Sequence, residues 1–276
     1  MPSYREAYFS AVKRGVPKSV TDFILKEISG FDSLELAKHF DDEMADYVSF
    51  DNAVSKYNQG EMAEYIFEKA YFLSTPFKVN KSVLIPRQET EELVLKTAEY
   101  IKNIFGNEKI KIADTCTGSG CIGISLAKML PEHKYYLTDI SESALDIAKE
   151  NAKSILGDNI DIEFLIGDML EPLKNKAINV IVCNPPYIED EKTIDDRTWK
   201  QEPHLALLAK PKTLFYEMLL KLQPSAIAKK YLIAFEIGED MEDKLKSLIE
   251  KYCQDCSCSF EKDIYGKTRF LFIKHQ

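Results

Sequence analysis

Lys109-Ile110-Lys111-Ile112-Ala113-Asp114-Thr115-Cys116-Thr117-Gly118-Ser119-Gly120-Cys121-Ile122-Gly123 decides the fold of this chain. The run to Asp114 is short, β-prone and closed by a carboxylate, and the glycine-rich turn after it opens a helix expected to reach about Leu130. Gly118, Gly120 and Gly123 satisfy G-x-G-x-x-G. Glycines at that spacing let a ligand approach the backbone closely, and the following helix offers it free N–H groups. Nicotinamide-dinucleotide and adenosyl-binding folds share this device.

Downstream, strands and helices alternate. A second strand is expected from His133 to Asp139, and a helix from Ser141 to Ile155 with Ser141 as its N-cap. Ile160 to Ile166 and Ile178 to Cys183 read as the third and fourth strands. A helix near Thr213–Leu222 precedes a fifth strand, Tyr231 to Ile237, and a helix over 241–252 follows. The chain closes with a hairpin of Cys258 to Ile264 and Thr268 to Ile273, turning at Tyr265-Gly266-Lys267. This is the pattern of a doubly wound α/β sheet, mostly parallel with an antiparallel C-terminal hairpin.

Upstream, residues 1–74 carry helical periodicity, as in Val20-x-x-Phe23-Ile24-x-x-Ile28 ending at Gly30. Their acidic side chains (Asp41, Asp42, Glu43, Asp46, Glu61, Glu64 and Glu68) read as a solvated face. A helical module without catalytic-looking residues has the character of a partner-recognition domain. Residues 75–90 are expected to form a hairpin linker centred on Asn80-Lys81, bracketed by Pro76 and Pro86, with a helix starting near Thr90. Residues 91–276 then form the α/β domain.

Hydrophobic residues make up 45% of the 276, enough for a substantial core, and the formal net charge is −9. That charge weighs against duplex nucleic acid as the main substrate, because such binding needs a cationic surface. No apolar stretch approaches the roughly 20 residues of a membrane span. Met1-Pro2-Ser3-Tyr4-Arg5-Glu6 lacks the hydrophobic region of a signal peptide, so a cytoplasmic location is expected. Cys253-x-x-Cys256-x-Cys258 superficially resembles a zinc motif. Only three thiols cluster there and no second pair follows, so free thiols are the expectation.

The strand ends carry the chemistry. Asp139 lies 21 residues after Gly118, where a carboxylate accepts both hydroxyls of a ribose. Asp114 beside the glycine loop would repel a pyrophosphate but suits the cationic groups of S-adenosylmethionine. Asp168 is positioned to accept from an adenine amino group, with Met169 packing on the ring. At the fourth strand's end, Asn184-Pro185-Pro186-Tyr187 forms a rigid corner, since neither proline donates a backbone N–H and each fixes φ. The corner offers a side-chain amide, backbone carbonyls and an aromatic ring. That set suits a planar group presenting two N–H donors.

Together these residues resemble the HemK/PrmC-type family, the glutamine methyltransferases of peptide chain release factors. The likeness covers nearly all of residues 75–276. It rests on Leu84-Ile85-Pro86-Arg87-Gln88-Glu89-Thr90-Glu91, Thr117-Gly118-Ser119-Gly120, Asp139, Asn184-Pro185-Pro186-Tyr187-Ile188 and Glu202-Pro203 with Ala206-Leu207. It continues in Phe235-Glu236-Ile237-Gly238 and Asp263-x-x-Gly266-x-x-Arg269. The chain departs from the family at Gln88 (usually proline), Met169 (often aromatic) and Met241 (commonly glutamine). The resemblance implies a Rossmann-like class I methyltransferase sheet plus a small N-terminal helical domain that recognises the release factor. It implies S-adenosyl-L-methionine held by Asp114, Cys116, Thr117, Gly118, Ser119, Gly120, Asp139, Asp168, Met169 and Asn184. The glutamine would be bound by Asn184, Pro185, Pro186 and Tyr187, with Asn184, Pro185 and Tyr187 acting in catalysis. No stable nucleic-acid binding is implied.

An amide nitrogen is a poor nucleophile because its lone pair is delocalised. The Asn184 side-chain oxygen and the Pro185 carbonyl are expected to accept the two N–H bonds, and Tyr187 to pack against the amide plane. Both acceptors bind more strongly as positive charge grows on nitrogen. No general base is required, and the sequence offers no histidine near the motif. The competing reading is a DNA amino-methyltransferase acting on a flipped adenine or cytosine. It lacks the basic groove it would need. A nicotinamide dehydrogenase leaves Asn184–Tyr187 without a role, and a non-catalytic cofactor-sensing module leaves the corner unused.

Overall fold

Ser3 opens the first helix with a reciprocal cap: its hydroxyl accepts from Glu6 N at 3.2 Å, and the Glu6 carboxylate accepts from Ser3 N at 2.8 Å. In the computed structural model, which describes residues 1–158 and 161–275, α1 (Tyr4–Lys13) is followed by α2 (Lys18–Ser29), α3 (Ser33–Lys38), α4 (Tyr47–Asn58) and α5 (Ala63–Ile66). These helices bury a core of their own that includes Tyr4, Ile24, Leu25, Phe50 and Val54. Three of the acidic residues among them have partners within the helical unit. Asp41 pairs with Arg5, Asp42 with His39, and Asp46 caps α4 through Ser49 N. The chain divides into two units: Met1–Lys69 with Asp196–Gln201, and Ala70–Asp195 with Glu202–Gln276. The short second segment of the helical unit is therefore drawn from deep within the chain, and its Arg197 guanidinium lies 3.6 Å over the Tyr57 ring.

The hairpin differs from the expectation. β1 (Lys69–Phe72) pairs with β2 (Thr75–Lys78) and turns at Leu73 and Ser74, both with positive φ. Its first strand therefore lies inside the region whose pattern predicts helix. Four residues alternating buried Ala70 and Phe72 with exposed Tyr71 are too short a signal to stand out from the helical run. Asn80 instead forms a side-chain turn, Oδ1 accepting from Ser82 N at 2.9 Å, and the chain stays irregular until α6 (Gln88–Phe105).

The remaining elements are β3 (Lys111–Thr115), α7 (Cys121–Met129), β4 (Lys134–Asp139), α8 (Glu142–Leu156), β5 (Ile162–Ile166) and β6 (Ile178–Cys183). They continue with α9 (Asp196–Gln201), α10 (Leu214–Leu222), β7 (Ile227–Glu236), α11 (Glu242–Tyr252), β8 (Ser257–Lys262) and β9 (Thr268–His275). β6 begins and ends where the sequence predicts. Ser141 caps α8 through Ala144 N at 3.2 Å, as expected. β7 starts four residues before the predicted Tyr231, because Ile227 pairs with Ile178 beyond an irregularity in the β6–β7 ladder. Ile160, the predicted start of the third strand, lies outside the described residues.

The seven strands run in the order β5-β4-β3-β6-β7-β9-β8. β5, β4, β3, β6 and β7 are parallel, while β9 is antiparallel to both β7 and β8. This is the Rossmann-like sheet that the sequence predicts, mostly parallel with an antiparallel C-terminal hairpin. Its central strands are near-continuously buried, as strands covered on both faces must be. One face packs under α6 and α7, with Leu93, Ile101 and Ile124 in its core. The other packs under α10 and α11, with Tyr216, Leu219 and Leu245. No helix among the described residues is long and apolar enough to cross a membrane.

Candidate functional site

Parallel pairing brings the carboxyl ends of the first four core strands to one edge. Thr115 stands opposite Thr138 on one side and Cys183 on the other, and Asp139 opposite Ile166. The residues just past these positions are therefore neighbours although up to about 70 positions separate them. A cavity of about 220 Å³ opens at this edge. Of the expected cofactor residues, Cys116, Gly118, Asp139, Asp168, Met169 and Asn184 line it. Asp114, Thr117, Ser119 and Gly120 do not. Of the expected substrate residues, Asn184 and Pro186 line it, whereas Pro185 and Tyr187 do not.

Asp114 is buried, 1% exposed, and shapes the loop. Its Oδ2 accepts from the Thr117 hydroxyl at 2.5 Å and from Gly123 N at 2.9 Å. A Cβ on Gly123 would stand 3.0 Å from that oxygen and 2.9 Å from Leu137 Cδ1. The third glycine of the motif is thus required by Asp114 and β4, a close helix–strand approach. Asp114 Oδ1 has no hydrogen-bond partner among the described residues, and burial pushes the carboxyl up to about 7. An orphaned acceptor of this kind fits an ammonium group or an ordered water. Asp139 is the loop's second tie. Oδ2 accepts from Gly118 N at 2.9 Å and Oδ1 from Ser141 N at 3.0 Å, which leaves lone pairs on both oxygens toward the cavity. Burial raises its pKa against the pull of those N–H groups. Asn151, which no motif marks, fastens the loop from below: Nδ2 donates to Ser119 O and Lys78 O, both at 2.9 Å.

The opposite wall is sulfur-rich. Cys116 Sγ lies 3.5 Å from Met169 Sδ, and both residues sit at positive φ, 57° and 46°. A hydrogen bond with Cys183, reinforced by burial, raises the Cys116 thiol well above its ordinary value and keeps it protonated. A soft thioether surface here can pack on a flat ring without an aromatic partner.

The Asn184–Tyr187 corner is held by a chain of side chains from distant segments. Asn184 Nδ2 donates to Thr90 Oγ1 at 3.2 Å, and Thr90 donates to Glu236 Oε2 at 2.6 Å. The Tyr187 hydroxyl reaches Glu236 Oε1 at 3.4 Å. Burial, then the Glu236 charge, raises the Tyr187 phenol well above its usual range, so it stays neutral. Tyr187 also stands 3.5 Å from where a Cβ on Gly238 would lie, and buried Met241 is closer still at 3.1 Å. Met241 thus fills the space under Gly238, which accounts for an apolar residue at that position. Arg87 pairs with the buried Glu202 carboxylate, whose other oxygen accepts from Ile85 N at 3.1 Å. Arg269 pairs with Asp263 at 3.5 Å and reaches Ile237 O at 3.4 Å. Each tie joins motif residues separated by tens of positions or more, except Arg269 with Asp263.

Sequence reasoning does not mark Ser82 and Val83, or Leu205 and Phe215, all of which line the cavity beside Leu84, the first residue of the Leu84–Glu91 segment. They carry no chemical signature, and only the fold brings their segments to the sheet edge.

Residues 94–201 match the family model of the methyltransferase small domain. The release factor glutamine methyltransferase of Bacillus anthracis is 35% identical over 231 residues, which cover 82% of this chain and 81% of that one. The corresponding protein of Mycoplasma mycoides is 39% identical over 76% of this chain and 75% of its own. That of Staphylococcus aureus is 31% identical over 99% of this chain and 100% of its own. Among solved structures, the hMettl16 catalytic domain in complex with MAT2A 3′UTR hairpin 1 superposes with a TM-score of 0.55, at 16% identity over 72% of this chain and 73% of that one. A methyltransferase from Pyrococcus furiosus superposes at 0.51, with 17% identity over 72% and 87%. At such identities the two structures speak to the fold alone.

Proposed function

This chain belongs to the release factor glutamine methyltransferases, and we propose that it methylates the side-chain amide nitrogen of the glutamine in the Gly-Gly-Gln motif of peptide chain release factors, using S-adenosyl-L-methionine. The observation that carries this reading is the orientation of Asn184. Its amide N–H₂ is engaged by Thr90, and among the described residues its Oδ1 accepts no hydrogen bond at the cavity wall.

The residues present fit the cofactor. Asp139 keeps lone pairs for a ribose diol, Asp168 lines the cavity as an acceptor for an exocyclic amine, and Met169 offers a thioether face to a ring. Asp114 Oδ1 is a buried acceptor without a partner, suited to a positive centre either directly or through water. Bound S-adenosyl-L-methionine supplies an electrophilic methyl group. The chain's part is to hold the nucleophile: Asn184 Oδ1 and the Pro185 carbonyl accept the two N–H bonds of a glutamine amide. Positive charge developing on that nitrogen strengthens both bonds, which lowers the barrier rather than only the ground state. Pro185 and Pro186 keep these acceptors rigid, so little reorganisation accompanies the reaction. The helical unit would recognise the release factor. A cytoplasmic setting follows from that substrate, and stable nucleic-acid binding is not expected of a chain with net charge −9.

Mass spectrometry of a purified release factor incubated with the protein and S-adenosyl-L-methionine tests the reading. One added methyl group on the Gly-Gly-Gln glutamine is expected, and loss of that product with Asn184→Ala. An unmodified glutamine in a reaction where the cofactor demonstrably binds would overturn it.

A further inference from the structure

We infer that Thr90 is a positioning residue that fixes which way the Asn184 amide faces, an inference that rests on the methyltransferase reading of the site. The argument is one of donors and acceptors. Glu236 is a carboxylate at the end of β7, 2% exposed; burial raises its pKa, and the Thr90 hydroxyl and the Arg269 charge oppose that rise. In its ionised form it can only accept, so the Thr90 hydroxyl must give its single proton to Oε2 across 2.6 Å. Thr90 Oγ1 then has only lone pairs to offer Asn184 at 3.2 Å. Only the N–H₂ end of the Asn184 amide can meet a lone pair. The carbonyl end is therefore turned the other way, with its lone pairs unspent.

An asparagine flipped by 180° would present two N–H donors to a substrate amide that itself presents two N–H donors, a like-to-like contact with no hydrogen bond. The two rotamers differ little in shape, and packing alone discriminates poorly between them. The hydroxyl of Thr90 therefore supplies the distinction. Tyr187, whose hydroxyl also points to Glu236, draws on the same acceptor, so one buried carboxylate sets both sides of the corner. Thr90 does not line the cavity. Its expected effect is on turnover rather than on cofactor binding.

Thr90→Val keeps the shape and removes the relay, while Thr90→Ser restores the hydroxyl. The expected result for Thr90→Val is a fall in kcat of about tenfold or more, the loss that one mis-set hydrogen bond of ordinary strength would bring. The KM for the release factor and the dissociation constant for S-adenosyl-L-methionine should stay within about threefold, and Thr90→Ser should recover most of kcat. A merely structural role would lower cofactor affinity and thermal stability in step with kcat and would not split kcat from KM. A second readout needs no substrate. The Asn184 side-chain amide signals in a ¹⁵N–¹H spectrum, assigned by their disappearance in Asn184→Asp, should shift and exchange faster with water in Thr90→Val. An unchanged kcat in Thr90→Val from an active wild type overturns the inference while leaving the proposed function standing. Unchanged Asn184 amide signals overturn it whether or not the wild type methylates a release factor.

Discussion

The Thr90 hydroxyl donates to Glu236 Oε2 across 2.6 Å, although 146 residues separate the two in sequence. Burial raises the Glu236 pKa; Thr90, Arg269 and Tyr187 pull it down, and the Glu89 charge adds to the rise. The folded protein thus holds a proton on the Glu236 carboxyl more tightly than the unfolded chain does. Glu236's contribution to stability is complete below the ordinary carboxylate value of 4.5 and declines as pH rises through the raised folded value. Glu236→Gln removes the titration. Denaturant unfolding of the cofactor-free variant is expected to show a flatter pH profile across that interval, and equal slopes for variant and wild type would refute the account.

Asp114 follows the same sign over a defined window. Its carboxyl moves from 3.8 to about 7 in the folded chain, so its contribution falls as pH climbs between those values. A cationic ligand near Oδ1 favours the ionised form and must displace the proton. Cofactor affinity is therefore expected to rise between about pH 6 and 8, with proton release on binding. Calorimetry in buffers of different ionisation enthalpy measures that release, and Asp114→Asn should abolish it.

Asp139 ties the glycine loop to the start of α8 through Gly118 N and Ser141 N. Asp139→Ala removes the proposed acceptor for the ribose and frees both amides at once. Losing two hydrogen bonds to a charged group at about 1.5–3 kcal/mol each corresponds to at least a 100-fold loss of cofactor affinity. Titration calorimetry should also find Asp139→Asn intermediate, because an amide keeps one acceptor.

The Glu202 side chain is fully buried and paired with Arg87, which is itself 36% exposed. Arg87→Met removes the arginine from the buried carboxylate, while the bond from Ile85 N remains. The expected cost is about 2–3 kcal/mol, below the usual figure for breaking a fully buried pair because solvent reaches the arginine. Thermal unfolding measures it. Combining Arg87→Met with Glu202→Leu should recover part of the loss.

Local signals account for what the sequence reveals. Ile178–Cys183 is legible as a strand because its apolar run ends at two prolines, and Ser141 as a cap because capping is decided within three residues. The carboxylates at the strand ends are legible because their types are chemically unusual beside a glycine loop. Other features depend on long-range pairing. The β1–β2 hairpin turns at Leu73-Ser74, a pair without the glycine or asparagine that positive φ favours, and is hidden in a helical pattern. Leu205 and Phe215 look like ordinary hydrophobics until the fold sets them at the cavity. Asp114 is recognised for its charge, yet much of its work is to hold Thr117 and Gly123, which no reading of the motif separates from ligand contact.

The Asp196–Gln201 helix, grouped with the first 69 residues, means that the chain passes between its two units at 69/70, 195/196 and 201/202. A recombination event or a cloning cut near residue 70 would therefore leave α9 behind, stripping Arg197 of the Tyr57 ring it covers. Exchange of the helical unit between relatives as a single N-terminal block is penalised. Its inheritance is bound to the loop that follows the Asn184 corner, and a working chimera must transplant both pieces together.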